Sequence, residues 1–218
     1  MRYLIDSADV EAIRKTISFY PVAGVTTNPS IVAKSGKDLK TVLTEVRSVI
    51  GPQRMLHVQV LALRAEDMSE EAKRIRDFCG ENTYVKIPVT EEGFAAIQKV
   101  SAAGIPVTAT AIFTPQQALM AAVAGAKFAA PYVNRLDNIA SGGVNVAAEA
   151  HRLLQMHGMD CEVLAASFKT VEQIHQVIMA GVSCVTIQPE FFAKLTSHPL
   201  TDTAVADFVS QGKRYYNL

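Results

Sequence analysis

No excess charge of either sign marks this sequence, which sets 21 Lys and Arg residues against 21 Asp and Glu over 218 positions. The basic residues are scattered rather than clustered, which argues against a nucleic-acid partner or an anionic membrane surface. Cysteine is scarce. Cys79, Cys161 and Cys184 are odd in number and lack metal-ligand spacing. That usage reads as a reduced, cytoplasmic protein with neither a disulfide framework nor a bound metal. A signal peptide is not expected, because Met1-Arg2-Tyr3-Leu4-Ile5-Asp6 reaches an acid before an apolar core can form.

Charge is also missing between Lys99 and Lys127, a run long enough to cross a bilayer. Pro106, Pro115, Gln116, Gln117 and several threonines break that run into a strand-then-helix pattern, so no membrane span is expected. No linker-like tract divides the chain. No G-x-G-x-x-G follows the first strand, which disfavours an open dinucleotide-binding sheet.

What the sequence has is apolar residues, at 49% of the chain, enough to bury a sizeable core. Short β-branched runs alternate with helical patterns from end to end. The step between successive strand ends is about 30 residues, that of a βαβ unit. Eight such steps predict a single (β/α)8 TIM barrel over 1–218, the doubly wound sheet being the runner-up. Strands are expected to include 128–133 and 162–167, with a polar, glycine-containing loop over 135–143 and Ser7 as a helix N-cap. An extra helix over about 202–211 lies beyond the eighth unit. Its Val205, Phe208 and Val209 need cover, which a neighbouring subunit would give.

The stretch Tyr84-Val85-Lys86-Ile87-Pro88-Val89 puts a lysine in a strand buried on both faces. Pro88 ends that strand, and a helix starts near Thr90. Lys86 either snorkels to solvent or is a nearly buried amine. Burial favours the neutral amine, a nucleophile for carbonyl carbon and a Schiff-base former.

In a barrel the active site lies at the C-terminal ends of the strands. Asp6, Thr26, Asn28, Gln59, Lys86, Thr110, Tyr132, Arg135 and Ser167 all fall there, with Thr27, Asn134, Lys169 and Gln188. Each has a structural alternative. Thr26, Asn28 and Ser167 suit caps or turns, Asp6 an N-cap, Tyr132 and His57 the core, and Arg135 a solvated loop. Their convergence on one end favours a site. An amine, an acid–base group and hydroxyl donors suit Schiff-base chemistry on a ketose, and Arg135 with Ser167 suits a phosphate.

Four motifs then carry a resemblance: Gly24-Val25-Thr26-Thr27-Asn28-Pro29-Ser30, Val85-Lys86-Ile87-Pro88-Val89-Thr90, Ala130-Pro131-Tyr132-Val133-Asn134-Arg135 and Ala165-Ala166-Ser167-Phe168-Lys169-Thr170. In this order, nearly end to end, the chain is similar to the transaldolase family. It most resembles the small branch, the fructose-6-phosphate aldolases. The resemblance implies that Lys86 is the Schiff-base lysine and that Asp6, Asn28 and Thr26 surround it and the substrate hydroxyls. Arg135 and Ser167 match the phosphate clamp. Gln59, Thr110 and Tyr132 match the group that orders a water for proton transfer. Classical transaldolases carry glutamate at the position of Gln59 and phenylalanine at that of Tyr132, which points to the aldolase side. Two departures stand out. Thr108 and Phe113 replace a leucine and a tyrosine of the aldolase branch, and His57 holds a position expected to be aromatic or small. Both changes are expected to line the pocket.

The expected activity is therefore a class I aldolase, without cofactor or metal, acting on fructose 6-phosphate or a similar ketose through a dihydroxyacetone imine. A transaldolase passing that unit to an aldose phosphate is the alternative. A non-catalytic barrel serving as a binding module, or an isomerase, ranks lower. Its partners are a sugar or sugar phosphate and an aldehyde. The resemblance further implies a homo-oligomer built from pentameric rings or a decamer.

Overall fold

A computed structural model describes residues 1–216. Eight parallel strands close in sequence order, with β8 paired back on β1. They are β1 (Arg2–Asp6), β2 (Gly24–Thr26), β3 (Met55–Gln59), β4 (Thr83–Pro88), β5 (Val107–Ile112), β6 (Phe128–Pro131), β7 (Glu162–Ala165) and β8 (Cys184–Ile187). Around them run α1 (Val10–Phe19), α2 (Pro29–Ser35), α3 (Leu39–Ile50), α4 (Ala65–Cys79), α5 (Glu91–Ala102) and α6 (Pro115–Val123). The second half adds α7 (Val133–Asp137), α8 (Gly143–Met156), α9 (Val171–Met179), α10 (Pro189–Thr196) and α11 (Pro199–Gly212). The expected (β/α)8 barrel with an extra C-terminal helix is the architecture found.

Strand alternation splits the core in two. Outward residues such as Ile5, Val25, Val58, Val85 and Ile87 join the helices in one large apolar layer. Inside the barrel, Leu4, Phe128, Leu164 and Cys184 form a separate buried cluster. His57 belongs to this plug: its ring stacks on Tyr84 at 4.7 Å, and Phe128 meets it edge-on at 5.4 Å. The plug fills the lower barrel, so only its C-terminal end is left for a cavity.

Local chemistry ends the elements at the mouth. Pro88 closes β4, and the Thr90 hydroxyl caps α5 by accepting from Gly93 N at 3.0 Å. A Cβ on Gly93 would lie 1.8 Å from the Pro88 carbonyl oxygen, so only glycine lets α5 start so close to β4. Thr114 with Gln117 and Thr170 with Gln173 form capping boxes at the starts of α6 and α9. Asp9, not Ser7, caps α1, since its carboxylate accepts from Ala12 N; the Ser7 hydroxyl accepts from Asp9 N instead.

Some expected boundaries shift. β6 stops at Pro131 and β7 at Ala165, short of 133 and 167. The expected loop over 135–143 holds α7 and the start of α8. Val133 N and Asn134 N donate to the carbonyls of Ala166 and Ser167, so the first turn of α7 takes its partners from the end of β7. Ser167 adopts φ 64°, which turns the chain there. A seven-residue helix, α2, follows Asn28, which serves as its N-cap, one of the two roles expected of it. The C-terminal helix starts at Pro199, earlier than 202. Among the described residues no helix is long and apolar enough to cross a membrane; the uncharged run after Lys99 is the end of α5 followed by β5 and α6.

Candidate active site

A cavity of about 420 Å³ opens at the C-terminal end of the barrel. Lys86, Asp6, Gln59, Asn28, Tyr132, Arg135 and Ser167 all line it, from seven separate elements or the loops that follow them. Lys86 is 6% exposed, so it does not snorkel. Its Nζ donates to the Thr27 carbonyl at 2.7 Å, which aims the side chain. Gln59 is its register partner on β3 and Thr108 its partner on β5.

Burial pushes the Lys86 amine below the ordinary lysine range, and the nearby Asp6 carboxylate opposes that shift only in part. Burial likewise pushes Asp6 up, against the pull of Lys86 and of the Thr26 hydroxyl. The two shifts have one origin, an enclosed site that penalises charge. They make the amine easier to deprotonate, and the carboxyl easier to protonate, than the same groups in water.

Two hydroxyl pairs join the cavity wall to the layer behind it. Thr26 Oγ1 donates to Asp6 Oδ1 at 2.7 Å and lies 2.6 Å from Thr186 Oγ1. Thr110 Oγ1 is 2.7 Å from the Tyr132 hydroxyl. Arg135 lies over the Tyr132 ring, its Cζ 4.7 Å from the centroid, and Phe113 meets the same ring edge-on at 5.6 Å. Tyr132 is thus held on three sides, with its hydroxyl directed by β5. Asn28 proves to be a cap and a lining residue at once: its Oδ1 accepts from Ile31 N at 3.0 Å, which leaves the amide nitrogen for a ligand.

Residues 3–216 match the family described as Transaldolase/Fructose-6-phosphate aldolase. The chain belongs to that family. It is 40% identical over 210 residues to a "Probable transaldolase" of Symbiobacterium thermophilum, covering 96% of this chain and 95% of that protein. A "Probable transaldolase" of Clostridium perfringens strain 13 is 36% identical over 218 residues and covers both chains fully. Solved structures extend the likeness of fold alone. Dihydrodipicolinate synthase from Rhodopseudomonas palustris superposes with TM-score 0.63 at 13% identity, over 96% of this chain and 77% of that one. The L-Ala-D/L-Glu epimerase of Bacillus subtilis gives TM-score 0.58 at 16% identity, over 85% and 53%.

Within this transaldolase-family barrel, seven of the nine expected site residues line the cavity. Thr26 and Thr110, both almost wholly buried, support Asp6 and Tyr132 from behind. The positions that depart from the aldolase branch fall elsewhere than expected. His57 Nδ1 and Thr108 Oγ1 pair with each other at 2.9 Å inside the plug, outside the cavity lining. Phe113 likewise touches Tyr132 rather than the cavity. Several lining residues escaped the sequence reading, among them Ile31, Lys34, Thr186 and Ile187. Thr186 alternates with Cys184 along β8, so parity pointed to it; Lys34 lies on α2 and had no such signal. Among the described residues no group of three or more His, Cys, Asp or Glu side chains is placed to hold a metal ion.

Proposed function

We propose that this protein is a class I aldolase that cleaves or forms fructose 6-phosphate, or a similar ketose, through an imine on Lys86. One observation carries the reading. The buried amine of Lys86 lies in a cavity whose wall holds a tyrosine hydroxyl paired with Thr110, while its neighbour on β3 is the neutral Gln59 rather than a carboxylate.

The neutral amine attacks the ketose C2, and the carbonyl oxygen takes up a proton. Loss of water leaves the iminium. Breaking C3–C4 then sends its electron pair into the iminium as an enamine, while the C4 hydroxyl gives up its proton and departs as the aldehyde. Tyr132 is the proposed acid–base group, acting through a water held by Gln59 and Thr110. The same group returns a proton to the enamine carbon, and water releases dihydroxyacetone and regenerates Lys86. Asp6 and Asn28 receive the substrate hydroxyls, and Arg135 with Ser167 holds the phosphate.

The names of the two relatives favour a second reading, a transaldolase that keeps the enamine for an aldose phosphate acceptor. Release of glyceraldehyde 3-phosphate from fructose 6-phosphate separates the two. An aldolase releases it without acceptor; activity seen only with erythrose 4-phosphate would make the protein a transaldolase. Borohydride with dihydroxyacetone should fix one three-carbon unit on the wild type and none on Lys86→Met. A labelled Lys86→Met protein would end the assignment of Lys86.

The working unit proposed is a homo-oligomer in which α11 packs on a second copy. The exposed side chains Leu200, Val205, Phe208 and Val209 support this, together with the family resemblance. A reducing compartment, the cytoplasm, suits the three free and buried cysteines.

A further inference from the structure

We propose that Thr186 is a positioning residue, whose hydroxyl donates to Thr26 and so keeps the Thr26 proton on Asp6. The argument is a proton count. Thr26 carries one hydroxyl proton and gives it to Asp6 Oδ1 at 2.7 Å. It also lies 2.6 Å from Thr186 Oγ1, a contact that needs a proton of its own. With the Thr26 proton already spent, Thr186 must supply the second one. The reverse arrangement would set a Thr26 lone pair against an ionised carboxylate oxygen at hydrogen-bond distance. In a site this buried such a contact is costly, Thr26 being 1% and Thr186 4% exposed. While Asp6 is ionised, the chain therefore runs Thr186 to Thr26 to Asp6, across three adjacent strands, β8, β1 and β2.

The order reverses when Asp6 takes up a proton. Asp6 then donates to Thr26 and Thr26 to Thr186, and the Thr186 proton turns towards the cavity that its side chain lines. Thr186 thus favours the ionised carboxylate against the burial that pushes Asp6 up. Charged and titratable groups face Asp6 from two sides: on the outer side Asp9, Glu11 and Arg14 at the start of α1, Lys37 and Glu45 beside α3 and Glu190 on α10 share a cleft with it, and on the inner side Tyr132 shares the barrel cavity. Lys86 on β4 is the nearest cation, His57 on β3 is held neutral by burial, and Lys34, Arg135 and Lys169 stand at the exposed rim. The effect on Asp6 follows from this geometry alone; its consequence for turnover rests on the Schiff-base reading above.

The test uses the full-length protein labelled with ¹³C at the aspartate carboxyls, with the Asp6 signal assigned through Asp6→Asn. In Thr186→Val, which keeps the shape and removes the donor, the Asp6 titration midpoint should rise by about half a pH unit or more. Thr186→Ser should restore it. Should the valine variant fail to fold, Thr186→Ala makes the same comparison. The turnover number for ketose cleavage should fall about threefold to tenfold in Thr186→Val, with a smaller change in KM. Adding Thr186→Val to Thr26→Val should cost nothing further, because the two side chains act in series. An unmoved Asp6 midpoint, or serine failing to restore it, overturns the proposal. A wild type that traps no dihydroxyacetone, yet shows the midpoint shift, would defeat the aldolase reading and leave Thr186 in its role.

Discussion

His57 ties stability to pH. It is fully buried, and its Nε2 has no hydrogen-bond partner among the described residues. Burial, with Lys86 and Arg2 nearby, holds its imidazole neutral to well below the ordinary histidine range. The sign follows from proton counting. Below about pH 6.5 the unfolded chain protonates this histidine while the folded chain does not, so acid favours unfolding. Stability should be full above that pH and fall by up to about 1.4 kcal/mol for each unit below it. His57→Phe keeps an aromatic ring between Tyr84 and Phe128 and should flatten this part of the profile. Urea midpoints from pH 7.5 to 5, at one protein concentration, check it; equal acid slopes in the two proteins would place the titration elsewhere.

Between elements, Gln173 is the joint that matters. Its Oε1 accepts from Lys169 N at 2.8 Å and from Thr170 N at 3.3 Å, which closes the cap of α9. Its Nε2 donates to Asp137 Oδ2 at 2.6 Å and to Asn134 Oδ1 at 3.3 Å, both on α7. One side chain thus ties the Ser167 turn to the helix that carries Arg135. Gln117 makes the same cap on α6, accepting from Phe113 N and Thr114 N. Gln117→Ala should cost about 1 kcal/mol, the usual value of a cap. Gln173→Ala should cost more, about 2–3 kcal/mol, because the half-buried partners on α7 lose their donor as well. It should also weaken phosphorylated ligands relative to dihydroxyacetone, if Arg135 and Ser167 form the proposed clamp. Equal losses in the two variants by urea unfolding would mean that the link to α7 carries no energy. The capping box itself was readable, since Thr170 and Gln173 stand at the required spacing. The latch was not, because Asn134 and Asp137 lie more than 30 positions away.

At the scale of the molecule, α11 presents an apolar side to solvent. Phe208 is 70% and Leu200 71% exposed, and no α11 residue is buried within the chain. A barrel already closed by eight strands gains little from such a helix, whereas a second copy laid against it would remove these side chains from water. Light scattering of the intact protein should show a large assembly, and a chain ending at His198 should dissociate while keeping its barrel signature in circular dichroism. An intact chain that stays monomeric would show that α11 serves something other than self-association.

The order of strands and helices could be read directly, because burial on both strand faces and on one helix face writes itself into the spacing of apolar residues. So could the end of the barrel at which the cavity opens, and Lys86 within it, since a charge in a β-branched run stands out locally. The start of α7, the Thr26–Thr186 contact and the withdrawal of His57 into the plug could not. Each depends on partners far away along the chain, joined by strand closure: Ala166 and Ser167 for α7, β8 meeting β1 for Thr186, and Tyr84 with Phe128 for His57. Periodicity records whether a side chain is buried. Which atoms it meets there, and therefore where its proton resides, was set only when the barrel closed.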